Sequence, residues 1–395
     1  VARTWLDGTE ITNIVRGGTS SHWLNRKYQA TADILVEDYD PAFFTDGARL
    51  AVTDVDGANG PDFNGFLKME SAEDGEDADG TVTLTAESPR ELWDWRPARD
   101  GPFSPGGSAG DLGDFSLPTF FQLGNAPSIM LDILTQSMDD SLPADGEGDL
   151  FIVIGSVPGG GVDLSGAQPS DWPMMIEEVA QTLTSTGELD IVEVPHAPNS
   201  TGPMATVNFY HGNYGTDLSG SVEFNYATGS HNVKQINRTR DRSKECNKLW
   251  YYLGPKLDDQ HWRKSITAGA AVSGYPEYGA IIALRDASRA KVGVRMDIRV
   301  MDSLANESDA AVLYEKLFLD ESMWRAQPRQ LLNVTPVDGL DPAFDVGDII
   351  GISYGARFMG GDSVIQRVFG RKVSWDEDGV ASIAQITSSE DGDAA

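Results

Sequence analysis

The sequence predicts a β-rich α+β protein, with a β-module at each end and α/β insertion domains between them. Three observations carry this. First, the two ends read alike. Phe44-Thr45-Asp46-Gly47 leads into the apolar run Arg49-Leu50-Ala51-Val52, and Phe344-Asp345-Val346-Gly347 leads into Ile349-Ile350-Gly351-Ile352. Each is followed by a strand-like stretch, an acidic turn with Gly, and a further strand-like run: Thr81–Ser88 in the first copy, Val380–Ser388 in the second. Second, 42 Gly and 20 Pro in 395 residues supply many turns, which favours β structure. Third, period-two alternation recurs along the chain, whereas only three stretches carry a helical apolar stripe. Two readings of the end-to-end likeness stay open here. One is a duplicated module; the other is the shared grammar of hairpins, whose turns need Gly and solvated charge.

The first 97 residues form the N-terminal module. Tyr28–Val36 and Gly65–Met69 are expected strands, and Val82, Leu84 and Ala86 alternate with Thr81, Thr83 and Thr85 as in a half-buried strand. Residues 98–126 are dense in Gly, Pro, Ser and Asp and read as a linker or long loop. A middle α+β region spans 127–305. It opens with a helix over Pro127–Met138, where Ile129, Ile133 and Leu134 share a face. Phe151–Ile154 is a short strand. A second helix is expected over Pro173–Thr184, with Asp171 as its cap, Ile176, Val179, Ala180 and Leu183 as its stripe, and Gly187 at its stop. Strands are expected at Leu189–Val194, Thr206–Tyr210, Ser221–Tyr226, Leu249–Leu253 and Tyr278–Leu284. The clearest is Lys291–Val300, with Val292, Val294, Met296, Ile298 and Val300 on one face. Residues 306–395 form the last unit. A helix capped by Asn306, with Asp309 in its first turn, runs through Ala310, Leu313, Tyr314, Leu317 and Phe318 and ends at Pro328; the C-terminal module follows from Leu331. Whether that module is continuous in sequence or borrows strands from the middle is open.

Charge narrows the function classes. The net charge is −31, which repels phosphate backbones and anionic membranes. Its distribution is uneven. No Lys or Arg lies between Arg99 and Lys234, whereas Lys234–Arg299 holds 14 basic residues against 7 acidic ones. The acid-only stretch reads either as a solvated surface or as a wall facing an anion that must not stick. The basic stretch reads as a surface pairing with an acidic neighbour. Arg238, Arg240 and Arg242 are its densest part. No run approaches the roughly 20 apolar residues of a membrane helix, so no membrane span is expected. No basic segment followed by an apolar one opens the sequence, so no signal peptide is expected either. One cysteine, Cys246, excludes an internal disulfide and a Cys-based zinc site.

No catalytic, cofactor-binding or metal-ligating constellation emerges, and no cofactor is expected. The run Gly155-Ser156-Val157-Pro158-Gly159-Gly160-Gly161 has no following Lys-Ser/Thr, and Pro158 lacks a backbone donor, so it reads as a flexible loop instead of a phosphate cradle. Asp54-Val55-Asp56-Gly57 with Asn59 and Asp62 offers oxygen ligands without the spacing or closing Glu of a calcium loop; a hairpin tip is the reading, with a weak calcium site left open. His22, His196, His211, His231 and His261 show no helical i, i+4 pair for zinc. Glu177-Glu178 reads as a solvated helix face. If their stretch is extended, Trp93 and Trp95 fall on one side, where edge-of-core packing is the commoner use of such a pair and a sugar-stacking platform the other.

Several segments together resemble minor tail proteins of long-tailed bacteriophages. They are Gly8-Thr9-Glu10-Ile11-Thr12-Asn13, Phe44-Thr45-Asp46-Gly47, Glu87-Ser88-Pro89-Arg90-Glu91-Leu92-Trp93 and Val368-Phe369-Gly370-Arg371-Lys372-Val373-Ser374-Trp375-Asp376-Glu377-Asp378-Gly379. More narrowly, the chain is similar to the baseplate-hub or tail-associated proteins of actinobacterial phages. The resemblance implies two tail-tube-like β-barrel modules per chain, set by a homotrimer into a pseudo-sixfold ring. Such a hub joins a sixfold tail tube or distal tail protein ring to a threefold tip and lets the tape measure protein and genomic DNA pass. Other tip or receptor-binding proteins are further expected partners, and the family brings no catalytic residue to this sequence. A tail-tip carbohydrate-binding adhesin is the alternative, and a cell-wall hydrolase the third.

Overall fold

The computed structural model describes residues 1–43, 45, 47–55, 60–75, 78–96, 98, 125–138, 149–160, 174–185, 189–212, 214–226, 232–241, 248–252, 296–300, 329–337, 344–354 and 363–389. The N-terminal module holds β1 (Arg3–Leu6), β2 (Thr9–Glu10), β3 (Val15–Trp23), β4 (Gln29–Leu35), β5 (Arg49–Thr53), β6 (Pro61–Gly75) and β7 (Ala78–Glu87). They pair in the order β3-β4-β7-β6-β5-β1-β2. Alternation sets the inward face: Ala30, Ala32 and Ile34 of β4 meet Val82, Leu84 and Ala86 of β7 and close over Leu50, Val52 and Phe63. Each fully buried aliphatic side chain of Leu or Val size contributes about 1.5–3 kcal/mol.

The middle region contributes α1 (Ala126–Ser137), β8 (Ile152–Ile154), α2 (Ile176–Ser185), β9 (Asp190–Pro195) and β10 (Ala205–Tyr210). The strands form a small sheet in the order β8-β10-β9. Asn125 caps α1, its Oδ1 accepting from the Ser128 N–H at 2.9 Å, and Pro127 suits the first turn. The stripe Ile129, Ile133 and Leu134 packs with Ile176, Val179, Ala180 and Leu183 of α2 and with Val207 and Phe209 of β10. Asp171 and Gly187, the expected cap and stop of α2, lie outside the described residues. So do most of the linker, the strand expected at Tyr278–Leu284 and the helix expected from Asn306.

Next come β11 (Glu223–Asn225), β12 (Val233–Asp241), β13 (Lys248–Tyr252), β14 (Met296–Val300), β15 (Arg329–Pro336), β16 (Ile349–Ser353), β17 (Ser363–Trp375) and β18 (Ala381–Ser389). Strands β13 and β14 pair in parallel as a separate ribbon. The others extend the main sheet as β12-β15-β18-β17, with β16 on β17 and β11 on β16. Their core gathers Leu332, Val334, Phe344, Ile350, Ile352, Val368 and Ile386. The C-terminal sheet therefore borrows β11 and β12 from the middle of the chain.

The two modules have the same strand order. β3-β4-β7-β6-β5-β1 matches β12-β15-β18-β17-β16-β11 neighbour for neighbour. Two irregularities of register match as well. A bulge between Val15 and Gly17 in the β3–β4 pair has its counterpart between Val233 and Gln235 in the β12–β15 pair. Another, between Leu67 and Met69 against β7, recurs between Val368 and Gly370 against β18. Leu67 N–H donates to the Ala48 carbonyl at 2.8 Å, and Val368 N–H to the Asp348 carbonyl at 2.8 Å. Gly47 and Gly347 both have positive φ, +76° and +93°, so the Phe-x-x-Gly likeness reflects a turn that glycine suits best. Independent hairpins have no reason to share bulges at matching places. Differences stand too: β1 joins β5 antiparallel, whereas β11 joins β16 in parallel; the bulge between Val52 and Thr53 against β6 has no counterpart in the β16–β17 pair; and the second bulges of the β6–β7 and β17–β18 pairs fall at different places.

Candidate functional site: one sheet through both modules

The modules are joined strand to strand. The second half of β17 pairs antiparallel with β3, from Gly370 opposite Trp23 to Trp375 opposite Gly18. Both ends of this junction place a glycine under a tryptophan. A Cβ on Gly18 would lie 2.5 Å from Trp375 Cζ2 and 2.3 Å from the Thr31 carbonyl oxygen. One on Gly370 would lie 2.4 Å from the Trp23 ring. Among the described residues the result is a continuous sheet of 13 strands. Its inward face is mainly apolar, with Arg371 buried on it 5.6 Å from the Phe344 ring. Its other face carries hydroxyls, amides and a carboxylate that bond to one another: Thr19 to Thr31 at 3.0 Å, Thr83 to Asp33 at 2.6 Å, and Thr387 to Asn333 at 2.9 Å.

The middle region clamps this sheet through buried charge. Asp190 accepts from Arg367 Nη2 at 2.6 Å, from Asn25 Nδ2 at 3.0 Å and from the Tyr214 N–H at 2.9 Å. One carboxylate thus ties β9 to the β3–β4 turn and to β17. Arg90, fully buried, donates to both oxygens of Glu177 at 2.8 and 3.0 Å, with its guanidinium 5.0 Å from the Trp93 ring. Glu193 accepts from Ser88 Oγ at 3.0 Å. Burial pushes its carboxyl up to about 7, against the pull of Arg90. Arg49 reaches Asn199 Oδ1 at 2.6 Å and the Gly202 carbonyl at 2.9 Å.

These clamps correct two expectations. Glu177 is not on a solvated face; it is 4% exposed and neutralised by an arginine from the preceding module. Likewise, Glu177, Asp190 and Glu193 of the acid-only stretch point inward, so they are not wall carboxylates. Their arginine partners are remote in sequence, which a local charge count does not see. Trp93 and Trp95 also part company. Residues Pro89–Asp94 form a 3₁₀ helix, which buries Trp93 fully and leaves Trp95 72% exposed, so they make no common stacking platform. Gly155 continues the β8–β10 pairing, its N–H donating to the Val207 carbonyl at 2.9 Å; the start of the glycine run is bonded, not loose.

The remaining candidates are scattered. Asp54 lies 3.4 Å from Arg3 Nε, and Asp62 Oδ2 accepts from the Val55 N–H at 2.8 Å; Asp56 and Asn59 lie outside the described residues. His22 stacks on Tyr28 at 4.6 Å, His196 contacts Thr206 Oγ1 at 2.7 Å, and His211 contacts the Gly159 carbonyl at 3.2 Å. His231, His261, Cys246 and Arg242 are not among the described residues. The Arg238 guanidinium stands 5.8 Å from the Tyr354 ring of its own module. Among the described residues, no cluster of three or more His, Cys, Asp or Glu is placed to hold a metal. Nor is any helix among them long and apolar enough to cross a membrane.

By sequence, the chain matches no protein-family profile and no characterised protein. By structure it does match. The tail protein from Neisseria meningitidis MC58 superposes with a TM-score of 0.56 over 99% of this chain and 97% of that one, at 10% identity. The fold is that of phage tail proteins. Two further solved structures share it. Prophage tail protein gp18 from Listeria monocytogenes EGD-e has a TM-score of 0.51 at 12% identity, covering 97% of this chain and 90% of its own. The prophage MuSo2 43 kDa tail protein from Shewanella oneidensis has a TM-score of 0.51 at 10% identity, covering 99% and 98%. These sources lend no support to an actinobacterial origin.

Proposed function

We propose that this chain is a structural subunit of a phage tail tip, a hub that joins a sixfold tail tube or distal tail ring to a threefold tip. The observation that carries the reading is the duplicated module. Two units with equal strand order, matched bulges and one continuous sheet let three chains offer six similar positions. In this reading each module is a tube-like barrel segment, and three copies close a pseudo-sixfold ring. Closed point groups are the usual outcome for copies of one chain. The hydroxyl- and amide-rich sheet face lines the channel, where tape measure protein and DNA pass without being held. Lys372 is exposed on that face opposite Ser21, and among hydroxyls and amides it leaves few salt-sensitive phosphate contacts of the kind that Lys and Arg make. The basic segment faces protein. The role is mechanical, with no catalysis.

Antibody-labelled electron microscopy of assembled tails tests the placement: label at the tip is expected, and label along the shaft contradicts the reading. Incubation of the purified protein with host cell wall tests the rest. Neither soluble fragments nor retention on the wall is expected; release of fragments supports a hydrolase, and retention supports an adhesin.

A further inference from the structure

We propose that Glu193 is a proton-operated latch between the N-terminal module and the middle region. It fastens β9 to Ser88 while its carboxyl holds a proton, and slackens that end of the seam when the proton leaves. Three observations converge. First, the charges at this site balance only if one carboxyl is neutral. Arg90, Glu177 and Glu193 are 0%, 4% and 3% exposed. Arg90 commits Nε and Nη2 to Glu177. Glu193 receives the Ser88 hydroxyl on Oε1 at 3.0 Å, while its Oε2 is buried without a partner. A carboxylate so placed costs far more than a carboxylic acid. Burial keeps the proton on, against the pull of Arg90 and Ser88 and with the repulsion of Glu177. Tyr28, buried alongside, is likewise held neutral by its own burial. On β9 itself, Asp190 is answered by Arg367.

Second, the latch crosses between two cores. Ser88 is tied to the N-terminal module: its N–H donates to the Tyr28 carbonyl at 3.0 Å, and its Oγ accepts from the Tyr28 N–H at 3.3 Å. Ile191 of β9 and Trp93 belong to the core of the middle region. The other ties across this seam do not involve the Glu193 proton. Asn25 holds Asp190, Asn64 holds the His196 and Ala197 carbonyls, and Arg49 holds Asn199. The response is therefore local. Third, donors stand ready. Arg90 Nη1 and Trp93 Nε1 are both buried without a partner. Once Glu193 is charged, these groups can turn towards it, and the 3₁₀ helix that carries both moves with them. The direction follows from linkage. Glu193 keeps its proton in the closed site up to about pH 7 and, once hydrated, only to 4.5. The advantage of the closed state is whole below 4.5 and gone above about 7.

Hydrogen exchange of the purified full-length protein, read by mass spectrometry across this pH range and divided by the intrinsic rate, tests it. Peptides holding Tyr28, Ser88 or Trp93 are expected to open about tenfold more for each pH unit between about 5 and 7, because one proton is released, and to level off above. Glu193→Gln, neutral at every pH, is expected to remove that rise. Glu177→Gln leaves Arg90 to Glu193 alone and is expected to bring the levelling-off to a lower pH. Infrared difference spectra, wild type minus Glu193→Gln, are expected to show a protonated-carboxyl stretch at about pH 6, where ordinary carboxyls are ionised, and to lose it by about pH 8. A rise that persists in Glu193→Gln overturns the proposal, as does wild-type protein with no rise in these peptides or no protonated-carboxyl band.

Discussion

Arg90 is held by two hydrogen bonds to Glu177 and lies against the Trp93 ring, with no solvent exposure. A buried pair of this kind depends on both members. Arg90→Ala leaves Glu177 charged in an apolar core and is expected to cost about 3–5 kcal/mol in denaturant unfolding. Arg90→Met with Glu177→Leu is expected to cost much less, since no charge is stranded. Glu193 makes a pH prediction. Its carboxyl is raised from 4.5 to about 7 by burial. Between those values the folded state keeps a proton that the unfolded chain releases. Its contribution to stability is therefore full below pH 4.5 and is lost as the pH rises through about 7, a change on the order of 3 kcal/mol. Glu193→Gln is expected to flatten that part of the stability–pH curve. A slope unchanged in the variant contradicts the assignment. Neither group was legible in the sequence. Both sit in runs that read as solvated acids, and the arginines that answer Glu177 and Asp190 are remote in the chain.

At the scale of elements, the junction between β17 and β3 depends on two glycines that are missing a side chain because tryptophans occupy the space. Gly370→Ala drives a methyl into the Trp23 ring, and Gly18→Ala into both Trp375 and the Thr31 carbonyl. Each is expected to cost about 1–3 kcal/mol, and Gly18→Ala more than Gly370→Ala, because a backbone carbonyl yields less than a ring. Thermal unfolding with near-ultraviolet circular dichroism on the tryptophans reads both; wild-type melting of Gly18→Ala contradicts the packing. Local strands and α1 were legible, since alternation and the Ile129, Ile133, Leu134 stripe are short-range signals. The Phe-x-x-Gly likeness was legible too, because Gly47 and Gly347 meet the same backbone requirement. The entry of β12 into the C-terminal sheet was not. Its partner β15 lies some ninety residues on, and nothing in Val233–Asp241 names that partner. Trp95 was misread because the 3₁₀ turn at Pro89–Asp94 replaces an extended strand.

For the whole molecule, the duplication explains the overall design. One chain supplies two copies of a module, fuses them through β17 and β3, and braces them with a helical region held by Asp190, Arg90 and Arg49. The fold is shared with the Neisseria, Listeria and Shewanella tail proteins at only 10–12% identity, so it depends on pattern more than on residue identity. The most direct measurement is a reconstruction of the intact tail at a resolution that traces strands. The account predicts three copies at the tip, their six modules arranged in alternation around the channel. Six equivalent copies, or single copies attached to the periphery of the tip, contradict it.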